Sequence, residues 1–326
     1  MARKTLKQNV QALGLRTALR YLDRDPQENI PKLLNWMVKA DCLIPRKGGR
    51  DAFKITRESL RDRDGNWYTL ATSLWPDIDG GIRRRLFENF VVNATIVGYR
   101  RQCQVKEEHG CNVPWAILLD PTSACNLKCL GCWAAEYGDK LSMSLDTLDD
   151  IINQGENLGV CMYIYSGGEP LIRKKDIITL CERHPECQFL AFTNGTLIDE
   201  QFADDMVRVK NFIPAISIEG FEEATDARRG QGTFAKVQKA MAILKEHRMP
   251  FGVSCCYTSQ NTDSIGSDEF IDFLVDQGCK FAWFFTFMPV GKDSPTELMV
   301  SAEQRKFMYD KVREWRHTKP IFTMDF

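Results

Sequence analysis

The sequence predicts an α/β fold, a partial (β/α)6-type barrel with parallel strands, preceded by a mainly helical N-terminal region. From residue 113 onward, short apolar runs alternate with segments of helical periodicity. A strand, a helix and a second strand in this order form a right-handed parallel unit, so the alternation indicates a parallel sheet. Six or seven such units are too regular for an open two-winged sheet and too few for a closed eight-fold barrel. We therefore divide the chain into a helical region, 1–112, and a barrel, 113–326.

The N-terminal region is predicted to be helical from the spacing of its apolar residues. Residues 4–22, 26–43 and 81–102 each carry an apolar stripe at helical intervals. The segment 45–80 is charged and contains glycine turn signals, which predict a hairpin or a loop. No chemical motif precedes residue 110, so the chemistry is expected in the barrel.

The strands of the predicted barrel are short apolar runs with a candidate helix after each. The runs are 115–122, 160–167, 189–195, 212–220, 251–259 and 281–291, with 320–326 as a candidate seventh strand. The helices are expected near 145–158, 173–184, 198–209, 233–247, 267–277 and 301–316. Polar, glycine-containing loops follow the carboxyl ends of the runs. Because ligands bind at that end of a parallel barrel, these loops predict one shared site.

Composition excludes several classes of function. The chain has 326 residues, with 43 basic against 44 acidic side chains, so no global charge favours nucleic acid. It has no apolar run of about 18 residues and no secretory cleavage pattern, so a cytoplasmic protein is predicted. An alternative is peripheral contact of the N-terminal helices with a membrane surface through basic side chains, although a packing or solvated role is favoured. Those side chains are Arg83, Arg84, Arg85, Arg100 and Arg101.

Three of the twelve cysteines, Cys125, Cys129 and Cys132, have the spacing of a metal site. Their intervals also fit a buried helical stripe, but Pro121 and Gly131 interrupt such a helix. Structural zinc usually has four protein ligands, and no close pair of cysteines supplies the fourth. An iron–sulfur cluster fits better, because three thiolates would hold three irons of a [4Fe-4S] cluster and leave the fourth open. Other cysteines are predicted to be small buried hydrophobes, namely Cys161, Cys181, Cys255 and Cys256.

The C-x3-C-x2-C loop after the first strand, followed by Gly-Gly-Glu-Pro after the second, resembles the radical S-adenosylmethionine (SAM) enzymes. The resemblance covers residues 113–326. It implies that SAM binds the open iron and that one electron cleaves it to a 5′-deoxyadenosyl radical, which abstracts hydrogen from an unidentified substrate. It also implies a one-electron donor of the flavodoxin or ferredoxin type. The sequence departs from the family at Gly131, where an aromatic residue is common, so Trp133 is the alternative aromatic cover for adenine.

The resemblance also implies roles for the second loop. Gly167 and Gly168 would let the backbone approach the methionyl end of SAM, because they have no side chain. Glu169 would accept a charge-assisted hydrogen bond from the SAM ammonium, and Pro170 would stiffen the turn. The alternative is an ordinary strand-to-helix turn.

Candidate cofactor contacts also follow the third and fourth strands. Asn194 is expected either to face the cofactor or to form an Asx-turn. Ser217 and Glu219 share one face of the fourth strand and are expected to reach the SAM ribose or carboxylate. Either Arg228 or Arg229 resembles the family arginine that binds the SAM site, and the sequence does not choose between them.

The substrate is open between peptide or protein maturation and modification of a lipid or small molecule. Many relatives continue into a cysteine-rich C-terminal extension with auxiliary clusters of the SPASM type, but no cysteine follows Cys279 here. We therefore expect that the extension is absent or that the sequence is truncated. Two other classes remain as alternatives: a non-catalytic iron–sulfur or zinc electron-transfer protein, and a barrel enzyme without a cluster.

Overall fold

Seven parallel strands form one sheet in sequential order, a half-barrel with helices around it. The computed structural model describes residues 6–41, 52–290 and 294–326. The predicted fold class is confirmed, and residues 320–326 do contribute the seventh strand. The strands are β1 (Ala116–Leu119), β2 (Met162–Tyr165), β3 (Gln188–Thr193), β4 (Phe212–Ser217), β5 (Gly252–Tyr257), β6 (Phe281–Thr286) and β7 (Phe322–Asp325).

Six helices of the barrel lie close to their predicted positions, and side-chain caps begin four of them; the sequence does not predict the helices Glu222–Arg229 and Thr262–Ile265. Ser144, Asp199 and Ser267 each accept a hydrogen bond from a first-turn backbone N–H, and Ser301 forms a capping box with Gln304. For the numbering used below, α1–α6 are the N-terminal helices. The barrel helices are α7 (Leu145–Leu158), α8 (Lys174–Arg183), α9 (Glu200–Val209), α10 (Glu222–Arg229), α11 (Thr233–Glu246), α12 (Thr262–Ile265), α13 (Asp268–Gln277) and α14 (Ala302–Thr318).

The N-terminal region is helical, including much of the segment that was predicted as a hairpin or loop. That prediction was wrong for the described part of 45–80, and residues 45–51 lie outside the described residues. The turn signal at Gly65 does end a turn, but the apolar stripe after it forms a helix rather than a strand. The helices are α1 (Leu6–Leu22), α2 (Pro26–Asp41), α3 (Ala52–Ser59), α4 (Asn66–Asp77), α5 (Gly80–Phe87) and α6 (Tyr99–His109).

A π-helical stretch, Glu88–Gly98, joins α5 to α6 and changes which side chains face inward. Its wider turn rotates the buried face away from the stripe that ideal α-helical spacing predicts. Phe90 is therefore exposed, whereas Asn89 and Asn93 are fully buried. Asn89 Nδ2 donates to the carbonyl oxygen of Cys187 at 2.7 Å, which ties this helix to the loop before β3.

The N-terminal helices cover the amino ends of the strands and leave the carboxyl ends open. Gln102 Nε2 donates to the carbonyl of Gly159, just before β2, at 2.9 Å. Asn66 Nδ2 donates to the carbonyl of Lys319, just before β7, at 2.9 Å. This arrangement separates the scaffold contacts from the edge where ligands bind in parallel barrels.

Arginines of this region make contacts within the protein, which supports the packing interpretation over a membrane surface. Arg83 Nη2 donates to Asp23 Oδ1 at 2.7 Å. Arg85 and Arg101 donate to backbone carbonyls of the barrel region. No helix among the described residues is long and apolar enough to cross a membrane.

The two faces of the sheet have separate apolar cores. The outer face packs on the helices, as in the buried cluster that joins Leu148 of α7 to Tyr163 of β2. The inner face has its own small cluster, which contains strand residues only. Its members are Met162, Leu190 and Ala215, with Ala116, Ile164, Phe192, Phe281 and Trp283 packed against them.

Candidate functional site

The loop that carries the three cysteines is fixed to the loop after β2 by backbone hydrogen bonds. Gly168 N donates to the carbonyl of Thr122 at 2.9 Å, and Glu169 N donates to the carbonyl of Ala124 at 2.8 Å. A Cβ on Gly168 would lie 2.2 Å from the carbonyl oxygen of Ala124. Gly167 has φ of 99°, which favours glycine. The cysteine loop can therefore approach the loop after β2 only with glycine at both positions. The contact of these glycines with SAM stays a prediction.

The cysteine loop is irregular, so the helical alternative for these residues is wrong. Cys125 is exposed, and Cys129 and Cys132 are partly exposed; all three thiols are free. The backbone N–H of Leu127 points at Cys125 Sγ (3.4 Å), and Arg229 Nη1 lies 3.9 Å from Cys129 Sγ. Burial raises the pKa of the Cys129 thiol, and the charges of nearby arginines partly offset this. Free thiols on an open loop, with donors directed at sulfur, fit the thiolate ligands of an iron–sulfur cluster.

The aromatic position that the sequence lacks at Gly131 is occupied from elsewhere in the fold. Gly131 has φ of 66°, and a Cβ there would lie 2.6 Å from Cε2 of Phe287. Phe287 directly follows β6, and sequence reasoning missed it because it lay unmarked inside a predicted strand. Trp133, in contrast, begins a short 3₁₀ helix, is 41% exposed and contacts the ring of Tyr137 edge-on. Its predicted contact with adenine stays a prediction.

Glu169 is buried and joins the second loop to the third strand. Its Oε1 accepts hydrogen bonds from Thr193 Oγ1 at 2.7 Å and Leu171 N at 2.9 Å, and its Oε2 accepts from Asn194 N at 2.7 Å. Burial raises the pKa of the carboxyl, and these donors offset part of that effect. Pro170 opens the 3₁₀ turn that Glu169 caps. The carboxylate thus already accepts three hydrogen bonds within the chain, and its contact with an ammonium stays a prediction.

Asn194 forms the Asx-turn that the sequence left open as one of its two roles, and it also contacts the cysteine loop. Its Oδ1 accepts from Thr196 N at 3.0 Å, which is an Asx-turn. Its Nδ2 donates to Asn126 Oδ1 at 2.7 Å and lies 4.0 Å from Cys125 Sγ, so it also contacts the cysteine loop. The contact of Asn194 with the cofactor stays a prediction.

The carboxylate of Glu219 holds both candidate arginines. Its Oε1 accepts from Arg228 Nη1 and Arg229 Nε, each at 2.7 Å, and its Oε2 accepts from the backbone N–H of Cys256 at 3.0 Å. Burial alone raises the pKa of Glu219, but the two guanidinium groups outweigh it and the net pKa is lowered. Ser217 lies two residues earlier on β4 and is partly exposed.

The arginines end α10, a helix that the sequence did not predict. Asp226 closes the following glycine turn by accepting from Gly232 N at 2.6 Å and Phe234 N at 2.8 Å. Arg229 reaches the cysteine loop through its side chain, whereas Arg228 does so through its carbonyl, which accepts from Leu130 N at 2.8 Å. Arg228 also lines a cavity of about 450 Å³ between α10, Leu130 and the segment after β5.

Comparison with known proteins identifies the family of the chain. Residues 119–274 match the model of the radical SAM superfamily. An uncharacterised protein of Methanocaldococcus jannaschii is 30% identical over 206 residues, covering 60% of this chain and 70% of that protein. The chain belongs to the radical SAM superfamily. It is an enzyme, and its cofactors are those of the superfamily, SAM and a [4Fe-4S] cluster.

Relatives with assigned activities match this radical SAM chain over part of their length. The cysteine-type anaerobic sulfatase-maturating enzyme of Clostridium perfringens is 27% identical over 192 residues, 52% of this chain and 51% of that enzyme. The Fe-coproporphyrin III synthase of Methanosarcina barkeri is 27% identical over 183 residues, 55% of this chain and 45% of the synthase. The chain thus spans about half the length of these two enzymes.

Solved structures share the fold. SuiB of Streptococcus suis bound to S-adenosylmethionine superposes with a TM-score of 0.57 at 17% identity, covering 71% of this chain and 56% of SuiB. The complex of SuiB with its precursor peptide SuiA gives a TM-score of 0.56 at 18% identity, covering 72% of this chain and 54% of SuiB.

Proposed function

We propose that residues 113–326 form the catalytic domain, with residues 1–112 as its supporting region, and that Cys125, Cys129 and Cys132 bind three irons of a [4Fe-4S] cluster. Such a cluster, when bound and reduced, would supply the electron that splits SAM into methionine and a 5′-deoxyadenosyl radical, which would remove a hydrogen atom from the substrate. The single observation that carries this proposal is the backbone pairing of the cysteine loop with the Gly167–Pro170 loop at the carboxyl end of the sheet.

Residues of the chain would bind and orient SAM. The backbone of Gly167 and Gly168 suits the methionyl end, while Glu169 holds that loop against β3 and Asn194 binds the cysteine loop through Asn126. Of the two arginines, we assign Arg229 to the SAM carboxylate, because its guanidinium already reaches Cys129. Its Nη1 would donate to that carboxylate, because Glu219 accepts from its Nε and Nη2 and so holds the guanidinium in position. Ser217 would then face the ribose, and either Trp133 or Phe287 would contact adenine.

For the substrate, we propose a peptide or protein, with a small molecule as the second candidate. The sulfatase-maturating relative and the SuiB–SuiA complex support peptide maturation. The Fe-coproporphyrin III synthase supports a small molecule, and the apolar inner face of the half-barrel would suit one with an apolar body. A flavodoxin or ferredoxin would supply the electron.

The test is SAM cleavage by the full chain. The protein is purified without oxygen, reconstituted with iron and sulfide, reduced and supplied with SAM, and 5′-deoxyadenosine is quantified. We expect a four-iron spectrum and 5′-deoxyadenosine formation that both disappear in Cys125→Ala, Cys129→Ala and Cys132→Ala. The matched control is Cys111→Ala, an exposed cysteine before β1. Cleavage that persists in all three variants would refute the proposal, and a stable cluster without cleavage would favour the electron-transfer alternative.

A further inference from the structure

Asp120 is an acidic residue at the site that neither the motifs nor the contacts above explain. It directly follows β1 and continues the inner-face series Ala116, Leu118 with a period of two. It borders the second loop, because a Cβ on Gly167 would lie 3.1 Å from Cβ of Asp120. The residue is partly exposed, but its Oδ1 is buried and has no hydrogen-bond partner.

The charge of Asp120 has no counterpart among the described residues. Its neighbours at the rim have their charges paired, since Glu219 binds both Arg228 and Arg229. Asp120 forms no such ion pair with the described cations, and burial alone raises its pKa. A buried acceptor without a donor is costly, so native proteins rarely keep one unless a ligand or water satisfies it.

The wall below Asp120 is apolar. Leu118 is 55% exposed although it lies on the inner face, where it pairs in register with Ile164. Phe192, on the inner face of β3, contacts the rings of Trp283 and Phe285 edge-on. The inner-face positions of the seven strands carry no charged residue; they are 116, 118, 162, 164, 188, 190, 192, 213, 215, 217, 252, 254, 256, 281, 283, 285, 322 and 324. Trp283 Nε1 is also buried without a partner.

We propose that Asp120 binds a protonated amine of the substrate, whose apolar body lies on the inner wall formed by Leu118, Ile164, Phe192 and Trp283. This inference rests on the proposed function and names the chemical class of its substrate. An ammonium satisfies the unpaired carboxylate through charge-assisted hydrogen bonds. A substrate carboxylate at this position is repelled, because Asp120 carries the same charge and forms no ion pair with a described cation.

The test uses three probes that differ in one end group. A dansyl group is linked through a decyl chain to an amine, a hydroxyl or a carboxylate, and binding is followed by dansyl fluorescence. The protein is the full chain with its cluster, unreduced, with and without SAM. We expect the amine probe to bind about tenfold more tightly than the hydroxyl probe, as one charge-assisted hydrogen bond predicts. The carboxylate probe is expected to bind most weakly.

Matched variants assign the preference to single residues. Asp120→Asn should abolish the preference for the amine, while the affinity for the hydroxyl probe stays unchanged. Asp150→Asn, on the outer face of α7, should keep the preference. Leu118→Gln should weaken all three probes, and Leu158→Gln, an exposed leucine at the end of α7, should not.

Three results would overturn the inference. These are equal binding of the amine and hydroxyl probes, equal weakening of both by Asp120→Asn, and loss of the amine preference when SAM is added. The last result would show that Asp120 binds the SAM ammonium instead. Binding of the probes needs no reduced cluster. An amine preference in a protein that forms no 5′-deoxyadenosine would therefore refute the proposed function and leave this inference standing.

Discussion

The carboxylate of Glu219 is bound by the guanidinium of Arg229, which in turn lies 3.9 Å from the sulfur of Cys129. This contact links the end of β4 to the cysteine loop through one buried ion pair. Glu219 is fully buried and Arg229 nearly so, so neither charge is solvated by water. The pair is thus both a structural contact and the means by which the arginine is held toward the predicted cluster.

Removal of the charge of Glu219 should destabilise the fold. In Glu219→Gln, two buried arginines lose their counter-charge, and we expect the free energy of unfolding to fall by about 3 kcal/mol. Urea unfolding of cluster-free protein, followed by far-UV circular dichroism, measures the change. Glu314→Gln removes an exposed acid that pairs with Lys311 on α14, and it should leave the midpoint unchanged. A similar midpoint for both variants would contradict the role of the ion pair.

Gly131 should be intolerant of a side chain for two separable reasons. Gly131→Ala meets both the positive φ and the ring of Phe287, and it should cost about 3 kcal/mol and lower the iron bound after reconstitution. Gly138→Ala is the matched control, because Gly138 has φ of 64° but no atom within 4 Å of a built Cβ, so about 1 kcal/mol is expected. Phe287→Ala combined with Gly131→Ala should cost less than the sum of the single changes. Additivity, or equal effects at Gly131 and Gly138, would show that Phe287 does not limit this position.

Glu169→Ala should weaken SAM binding while leaving the cluster content intact. The change removes three acceptor contacts that hold the second loop against β3, so we expect about tenfold weaker binding of SAM. Equilibrium dialysis with labelled SAM measures the affinity, and an iron assay measures the cluster. Glu182→Ala, an exposed acid on α8, is the control. Loss of iron would mean that Glu169 supports the cysteine loop rather than SAM.

His184 should make the stability of the fold depend on pH above neutrality. Burial lowers the pKa of this imidazole, but its contacts with Glu156 and Asp149 outweigh burial and raise the pKa above the usual 6.5. The folded state therefore holds the proton more tightly, so the stabilisation is complete below pH 6.5 and is lost as the pH rises through the folded pKa. Urea unfolding between about pH 6 and pH 9 should show this decline. The decline should vanish in His184→Gln and persist in His317→Gln, which changes an exposed histidine; an unchanged decline in His184→Gln would rule His184 out as its cause.

Local patterns sufficed for the parallel half-barrel, six of its helices and the two motif loops, but not for α10 or α12. Apolar runs, caps at Ser144 or Ser301, and the spacing of Cys125, Cys129 and Cys132 act over a few residues, so they can be read along the chain. The same reasoning was wrong for 52–77, because an apolar stripe after a turn suits a helix as well as a strand. It also missed the rotation caused by the π-helical turn, which places Asn89 inside and Phe90 outside.

Only the tertiary structure decided how the site is assembled. It pairs Glu219 with two arginines, directs Glu169 toward Thr193 and Asn194, places Phe287 against Gly131 and leaves Asp120 without a partner. These relationships join residues that are 9 positions apart for Glu219 and Arg228, 24 for Glu169 and Thr193, and more than a hundred for Gly131 and Phe287. A hydrogen bond or an orphaned acceptor depends on distances between separate strand ends, and the sequence by itself carries motif identity and periodicity but not those distances.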